Sequence, residues 1–167
     1  MATPAQRAHL LALMDFLVAH GSHVHYPPHD HRGSADAWTW RLSESELHHV
    51  LTGGGSVTFD CSQSAVQLCR WVGLRDPNGF QPPYREPGYT GTLLASLPHY
   101  SDAGAAYVGA LCVFGPGTGE HVSMVHTRGK DPLLWTQGSE RGPNLYRLSV
   151  EREWHRPPVR FLSVAGL

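Results

Sequence analysis

The chain has 167 residues, and its 13 Lys and Arg against 14 Asp and Glu leave a net charge of −1. That near-balance excludes the basic stripe that electrostatic nucleic-acid binding requires. With 41% hydrophobic residues and no apolar run long enough to span a bilayer, the composition predicts one globular domain over 1–167, with no membrane partner.

The first predicted element is a helix over 4–20. Thr3 stands as its cap, Pro4 in its first turn and Gln6 three residues after the cap; Leu10, Leu11, Met14, Leu17 and Val18 form its apolar stripe, and Gly21 stops it. This opening has no basic region, long apolar core or cleavage site, so no secretory signal is expected and synthesis is assigned to the cytoplasm. Beyond it lies a histidine-rich stretch, His20, His23, His25, His29 and His31, joined later by His48 and His49. Imidazole is a common zinc ligand, but no His-Glu-x-x-His helix occurs and Pro27, Pro28 and Gly33 break the segment, so neither metal nor cofactor is expected. Trp38-Thr39-Trp40 reads either as a platform for sugar rings or as packing.

A second helix is predicted over 43–51, where Ser43 precedes Glu46 at capping-box spacing, and a third over 62–73. The stretch from Asp76 to Tyr89, with its Pro and Gly clusters, reads as a long surface loop. Strand patterns follow over 106–114, 121–127, 132–137, 145–150 and 159–164. Helices first and strands later predict an α+β fold, the N-terminal helices packed on a central antiparallel β-sheet.

The chemistry centres on Asp60-Cys61-Ser62, between the Gly53-Gly54-Gly55 turn and the third helix. A thiol at a helix start meets unpaired backbone N–H groups and the positive end of the helix dipole, which favour thiolate; the alternative is a small cysteine that only packs. Cys69 and Cys112 fall in a helix and an apolar strand and read as core residues, and three cysteines without metal-type spacing build no disulfide framework.

Downstream, Gly119-Glu120-His121 opens a strand, and Leu133 to Gln137 forms the next, joined through Arg128-Gly129-Lys130. Pairing about Gly129 sets His121 opposite Gln137, and their even spacing puts both side chains on one sheet face. Cys61, His121 and Gln137 then make a nucleophile, a base and a polar group that orients the base. Singly, His121 could be a satisfied strand-end histidine and Gln137 a solvated sheet residue.

In this order, Asp60-Cys61-Ser62, Val108 to Gly115, Glu120-His121-Val122-Ser123-Met124 and Thr136-Gln137-Gly138-Ser139, the chain resembles the NlpC-type cysteine endopeptidases of bacterial cell walls, especially their phage and actinobacterial members. The likeness spans about Tyr26 to Ser139. It departs where Gln63-Ser64-Ala65-Val66 replaces the usual Gly-Leu-Val after the nucleophile, and where Gly109-Ala110 replaces Gly-Asp. The resemblance implies a papain-like fold, Cys61 as nucleophile, His121 as base, Gln137 as third residue, and Tyr26 beside the substrate or oxyanion with Asp60 and Ser62. It implies a monomeric peptidoglycan hydrolase that cleaves a stem-peptide bond, between D-glutamate and a diamino acid, and reaches the wall after release from the host cytoplasm or as part of a virion. An amidase cutting between muramic acid and L-alanine, an acyltransferase with a similar Cys/His pair, and a non-catalytic wall-binding or virion module remain open alternatives.

Overall fold

A computed structural model describes residues 3–27, 40–138 and 142–164 of the chain. Helix α1 (Pro4–Ala19), helix α2 (Glu44–Thr52) and helix α3 (Cys61–Trp71) each start at a capping box: Thr3 with Gln6, Ser43 with Glu46, Asp60 with Gln63. In each, the cap side chain accepts the N–H of the third residue while that residue's side chain accepts the cap's own N–H, so two of the four orphan donors of the first turn are satisfied. None of the helices among the described residues is long and apolar enough to cross a membrane.

Strand β1 (Val24–His25) pairs in parallel with β2 (Val57–Thr58), and the Phe59 N–H donates to the His25 carbonyl at 3.0 Å. This short pairing sets Tyr26 alongside the entry to α3. After helix α4 (Thr90–Ser96) come β3 (His99–Tyr100), β4 (Leu111–Phe114), β5 (His121–Val125), β6 (Leu133–Thr136), β7 (Asn144–Arg147), helix α5 (Leu148–Trp154) and β8 (Val159–Leu162). The six strands β3 to β8 form one sheet of order β3-β8-β4-β5-β6-β7, antiparallel at every pairing. The architecture is therefore α+β.

Strand alternation divides the core in two. Leu111, Val113, Val122, Met124 and Trp135 face α1, α2 and α3, meeting Leu13, Met14, Leu47, Leu68 and Cys61. On the other face, Cys112, Phe114, Val125 and Leu134 pack with Phe161 and with Leu148 of α5. This two-faced division governs the position of every candidate site residue.

Several elements differ from expectation: the two-residue strands β1, β2 and β3 were not predicted, and the strand expected over 106–114 begins only at Leu111. The strand predicted over 145–150 ends at Arg147, and α5 begins at Leu148. Its start is capped from a distant loop: the Asp131 carboxylate accepts the Ser149 N–H at 2.8 Å and the Ser149 hydroxyl at 3.0 Å, a tertiary cap that no local sequence pattern announces. The predicted loop 76–89 is a loop, exposed over much of its length, but its start is anchored inward, with Asp76 and Asn78 buried; Asp76 accepts the N–H groups of Asn78 and Tyr84 at 2.9 and 2.6 Å. Helix α4 was not anticipated, because its N-cap is Tyr89 rather than an Asx or Ser residue, and the Tyr89 N–H is met by the Thr92 hydroxyl at 3.0 Å.

Candidate functional site

Cys61 is the first residue of α3, held there by Asp60, whose Oδ1 accepts the Gln63 N–H at 2.7 Å and the Ser62 hydroxyl at 2.8 Å. The thiol is 6% exposed, and the Tyr26 hydroxyl donates to its sulfur at 3.6 Å. Burial raises its pKa above the ordinary thiol value, and the adjacent Asp60 charge raises it further; the Tyr26 hydrogen bond and the backbone N–H groups of Val122 and Ser62 act the other way. At neutral pH Cys61 is thus a thiol, with three donors already aimed at the thiolate it would become.

Beside it opens a cleft of about 500 Å³, whose walls include Tyr26, Asp60, Ser62, Tyr89 and Glu120. Tyr26, Asp60, Cys61 and Ser62, four of the six residues expected at the site, therefore stand together. The far wall comes from the loop anchored at Asp76. Gly88, in that wall, has φ +66, and a Cβ there would lie 2.2 Å from the Asn78 side chain, so only glycine fits this position. Glu120 pairs with Arg156 at the rim.

His121 does not join them. Its expected contact with the Cys61 sulfur is contradicted by the sheet: Val122 shares the helical face with Cys61, and His121, one residue earlier, projects to the opposite face. There its Nε2 lies 2.7 Å from the Thr136 hydroxyl and 3.1 Å from the Ser123 hydroxyl, and 3.7 Å from Oε2 of Glu151. The ring stacks on that of His155, centroids 4.3 Å apart and 9° from parallel. Burial, with a smaller contribution from the His155 charge, lowers the His121 pKa to about 3, so the imidazole is neutral.

Gln137 is likewise not the partner of His121. Ser123 opposes Thr136, so one step further Gln137 falls level with Val122 and on the helical face. The physical cause is the hairpin loop: Pro132 has no N–H to give the ladder, which instead closes where the His126 N–H donates to the Leu133 carbonyl at 2.8 Å. The register is one residue away from pairing about Gly129, and a one-residue slip exchanges the faces. Gln137 is fully buried; its Nε2 donates to the Phe59 carbonyl at 3.4 Å, and its Oε1 has no hydrogen-bond partner.

Glu120, Tyr89, Glu151 and His155 were not singled out from the sequence. Glu151 and His155 do carry a local signal, four-residue spacing on a helix. Of the histidine-rich stretch, His29 and His31 lie outside the described residues, as do Trp38 and Thr39. His20 binds the Phe16 carbonyl through Nδ1, His48 stacks on Phe16, and Trp40 is buried in the core. Comparisons of the chain with family models, with curated proteins and with solved structures find no match.

Proposed function

We propose that the chain acts on the stem peptide of bacterial peptidoglycan through the Cys61 cleft, as a thiol hydrolase of the NlpC type with a papain-like fold. The observation that carries this reading is Cys61 itself: a cysteine at the first position of a helix, opening on a cleft, with a tyrosine hydroxyl and two backbone N–H groups directed at its sulfur. In acyl transfer the sulfur attacks the carbonyl, and donors near the helix start are suited to the charge that develops on its oxygen. Because His121 lies on the far sheet face, the thiol proton has to leave through the cleft, whose lining beyond α3 carries two carboxylates, Glu86 and Glu120, the second of them paired with Arg156. The bond expected from the sequence resemblance joins D-glutamate to a diamino acid. The enzyme would act as a monomer, after release to the wall or from a virion.

A second reading, a wall-binding or virion module that keeps the cleft without turnover, is favoured by one specific observation: His121 is committed to Thr136, Ser123 and Glu151 rather than to the thiol. One experiment separates the two. Purified walls are digested with the protein and with Cys61→Ala, and newly freed amines are identified. Hydrolysis predicts a new diamino-acid amine with the native chain and a fall on the order of 10⁴-fold in the variant. Freed alanine amine would transfer the reading to an amidase. No new amine, with wall binding retained, would establish the binding module.

A further inference from the structure

On the sheet face away from Cys61, three side chains that bind metals converge. His121 comes from the start of β5, Glu151 from α5 and His155 from the C-cap just after it, and one ligand atom from each lies within 4.8 Å of the others. Glu151 is 1% exposed, and its Oε2 accepts no hydrogen bond. Both imidazole Nε2 atoms lie near that same oxygen, His155 at 3.3 Å and His121 at 3.7 Å. We propose that His121, Glu151 and His155 form a binding site for a divalent transition-metal ion, with Zn²⁺ as the cation that fits best.

Both distances are longer than those of a closed ion pair. A charge-assisted N–H to carboxylate bond closes to about 2.7–2.9 Å. Two ligands of a tetrahedral zinc, each about 2.0–2.1 Å from the ion, stand about 3.3 Å apart; His155 Nε2 is at that spacing from Oε2 and His121 Nε2 is wider, at 3.7 Å, and the rings, stacked 9° from parallel, have to turn for both lone pairs to meet one ion, a turn open to His155 at the rim. Two imidazoles and one carboxylate favour a borderline cation over Ca²⁺ or Mg²⁺, which take oxygen ligands. The oxygens of Thr136 and Ser123 lie 2.7 and 3.1 Å from His121 Nε2, where its lone pair is directed, so on ion binding Thr136 has to shift aside or itself supply the fourth ligand. The approach is from the α5 side, where His155, Arg152, Pro157 and Val159 line a second cleft of about 410 Å³. This site is independent of the thiol chemistry, since the sheet separates them.

The test uses the full chain, expressed without a polyhistidine tag. Co²⁺ is titrated in, followed by Zn²⁺, and visible absorption and thermal unfolding are recorded for the native chain, Glu151→Gln, His155→Gln and a His23→Ala/His25→Ala control. The expected result is one equivalent of bound Co²⁺ with a d–d band, displaced by Zn²⁺, and a Tm rise of about 5–10 °C at roughly 100 times Kd. Either Glu151→Gln or His155→Gln should weaken binding by about 100-fold or more, while the control binds as the native chain does. His155, at the rim, keeps the test decisive if the buried Glu151→Gln fails to fold. Absence of a band and of a Tm shift, or binding lost in the control but kept in His155→Gln, would overturn the proposal.

Discussion

Cys61 and His121 stand on opposite faces of the central sheet, the thiol packed with Val122 and Met124 and the imidazole stacked on His155 beside Glu151. Residues that work as one catalytic unit show strong non-additivity, whereas residues separated by a sheet do not. His121→Ala is therefore expected to lower Tm, by removing a buried ring, while leaving the rate of Cys61 alkylation by iodoacetamide within about twofold of native. An alkylation rate that collapsed in His121→Ala, with circular dichroism unchanged, would mean that the two residues meet after all.

The thiol's own neighbours make a pair of opposite expectations. Asp60 raises the Cys61 pKa by charge and Tyr26 lowers it by hydrogen bonding. Asp60→Asn keeps an oxygen that can cap α3 but removes the charge, so the alkylation profile should shift to lower pH. Tyr26→Phe removes a donor to the thiolate and should shift the profile to higher pH, slowing alkylation at pH 8 by roughly three- to tenfold, the scale of one modest hydrogen bond. Shifts of the same sign in both variants would show that the thiol's surroundings are misassigned.

How far the sequence carried the fold depends on whether the determining contacts are local. The capping boxes at Thr3 and Ser43 lie within four residues each, so the starts of α1 and α2 were legible to within a residue; the start of α3 was legible from the Gly turn and the helical run on either side of Asp60-Cys61-Ser62, though its own box with Gln63 was not read. Five of the six sheet strands were legible from their residue pattern, the two-residue β3 being missed, but their register was not: Pro132 moved the hairpin closure by one residue and so reversed the relation of His121 to Gln137. Helix α5 was hidden because its cap, Asp131, sits on another loop. In the site, Asp60, Cys61 and Ser62 were legible because they share one helix start, whereas Tyr26 came only from the family resemblance, since the parallel pairing of β1 with β2 that brings it to Cys61 is not local in sequence. The loop wall depends on the anchor at Asp76, whose carboxylate reaches Tyr84 eight residues on, and Glu120 on the turn that joins β4 to β5, where its N–H donates to the Phe114 carbonyl.

Gln137 offers a test of the register. Its Oε1 is buried without a hydrogen-bond partner, and leaving an acceptor unsatisfied costs about 1–3 kcal/mol. Gln137→Met, which keeps the volume and removes that acceptor, should leave stability within about 1.5 kcal/mol of native or raise it. Urea unfolding measures this directly. As an orienter of His121, Gln137 would instead show little stability change and a loss of whatever turnover the cleft supports; on the observed register, Gln137→Met retains it.

The last prediction concerns alkaline pH. All three cysteines are buried and free, and burial raises each thiol above its ordinary value of 9.0, Cys69 to about 12 and Cys112 well above 9.0. The unfolded chain releases these protons near pH 9 while the folded chain holds them, so from there upward the unfolded state binds fewer protons and is progressively favoured. The contribution is fully present below pH 9 and is lost as pH rises toward the folded value, about 12 for Cys69. Unfolding free energy should therefore fall steadily from pH 9 to pH 11, in excess of the loss from other titrating groups. Cys69→Ala, although less stable at pH 7 because of the space it leaves, should show a shallower fall over the same range. Parallel slopes for the native chain and Cys69→Ala, measured by urea unfolding at matched ionic strength, would mean that Cys69 ionises in the folded chain as readily as in the unfolded one.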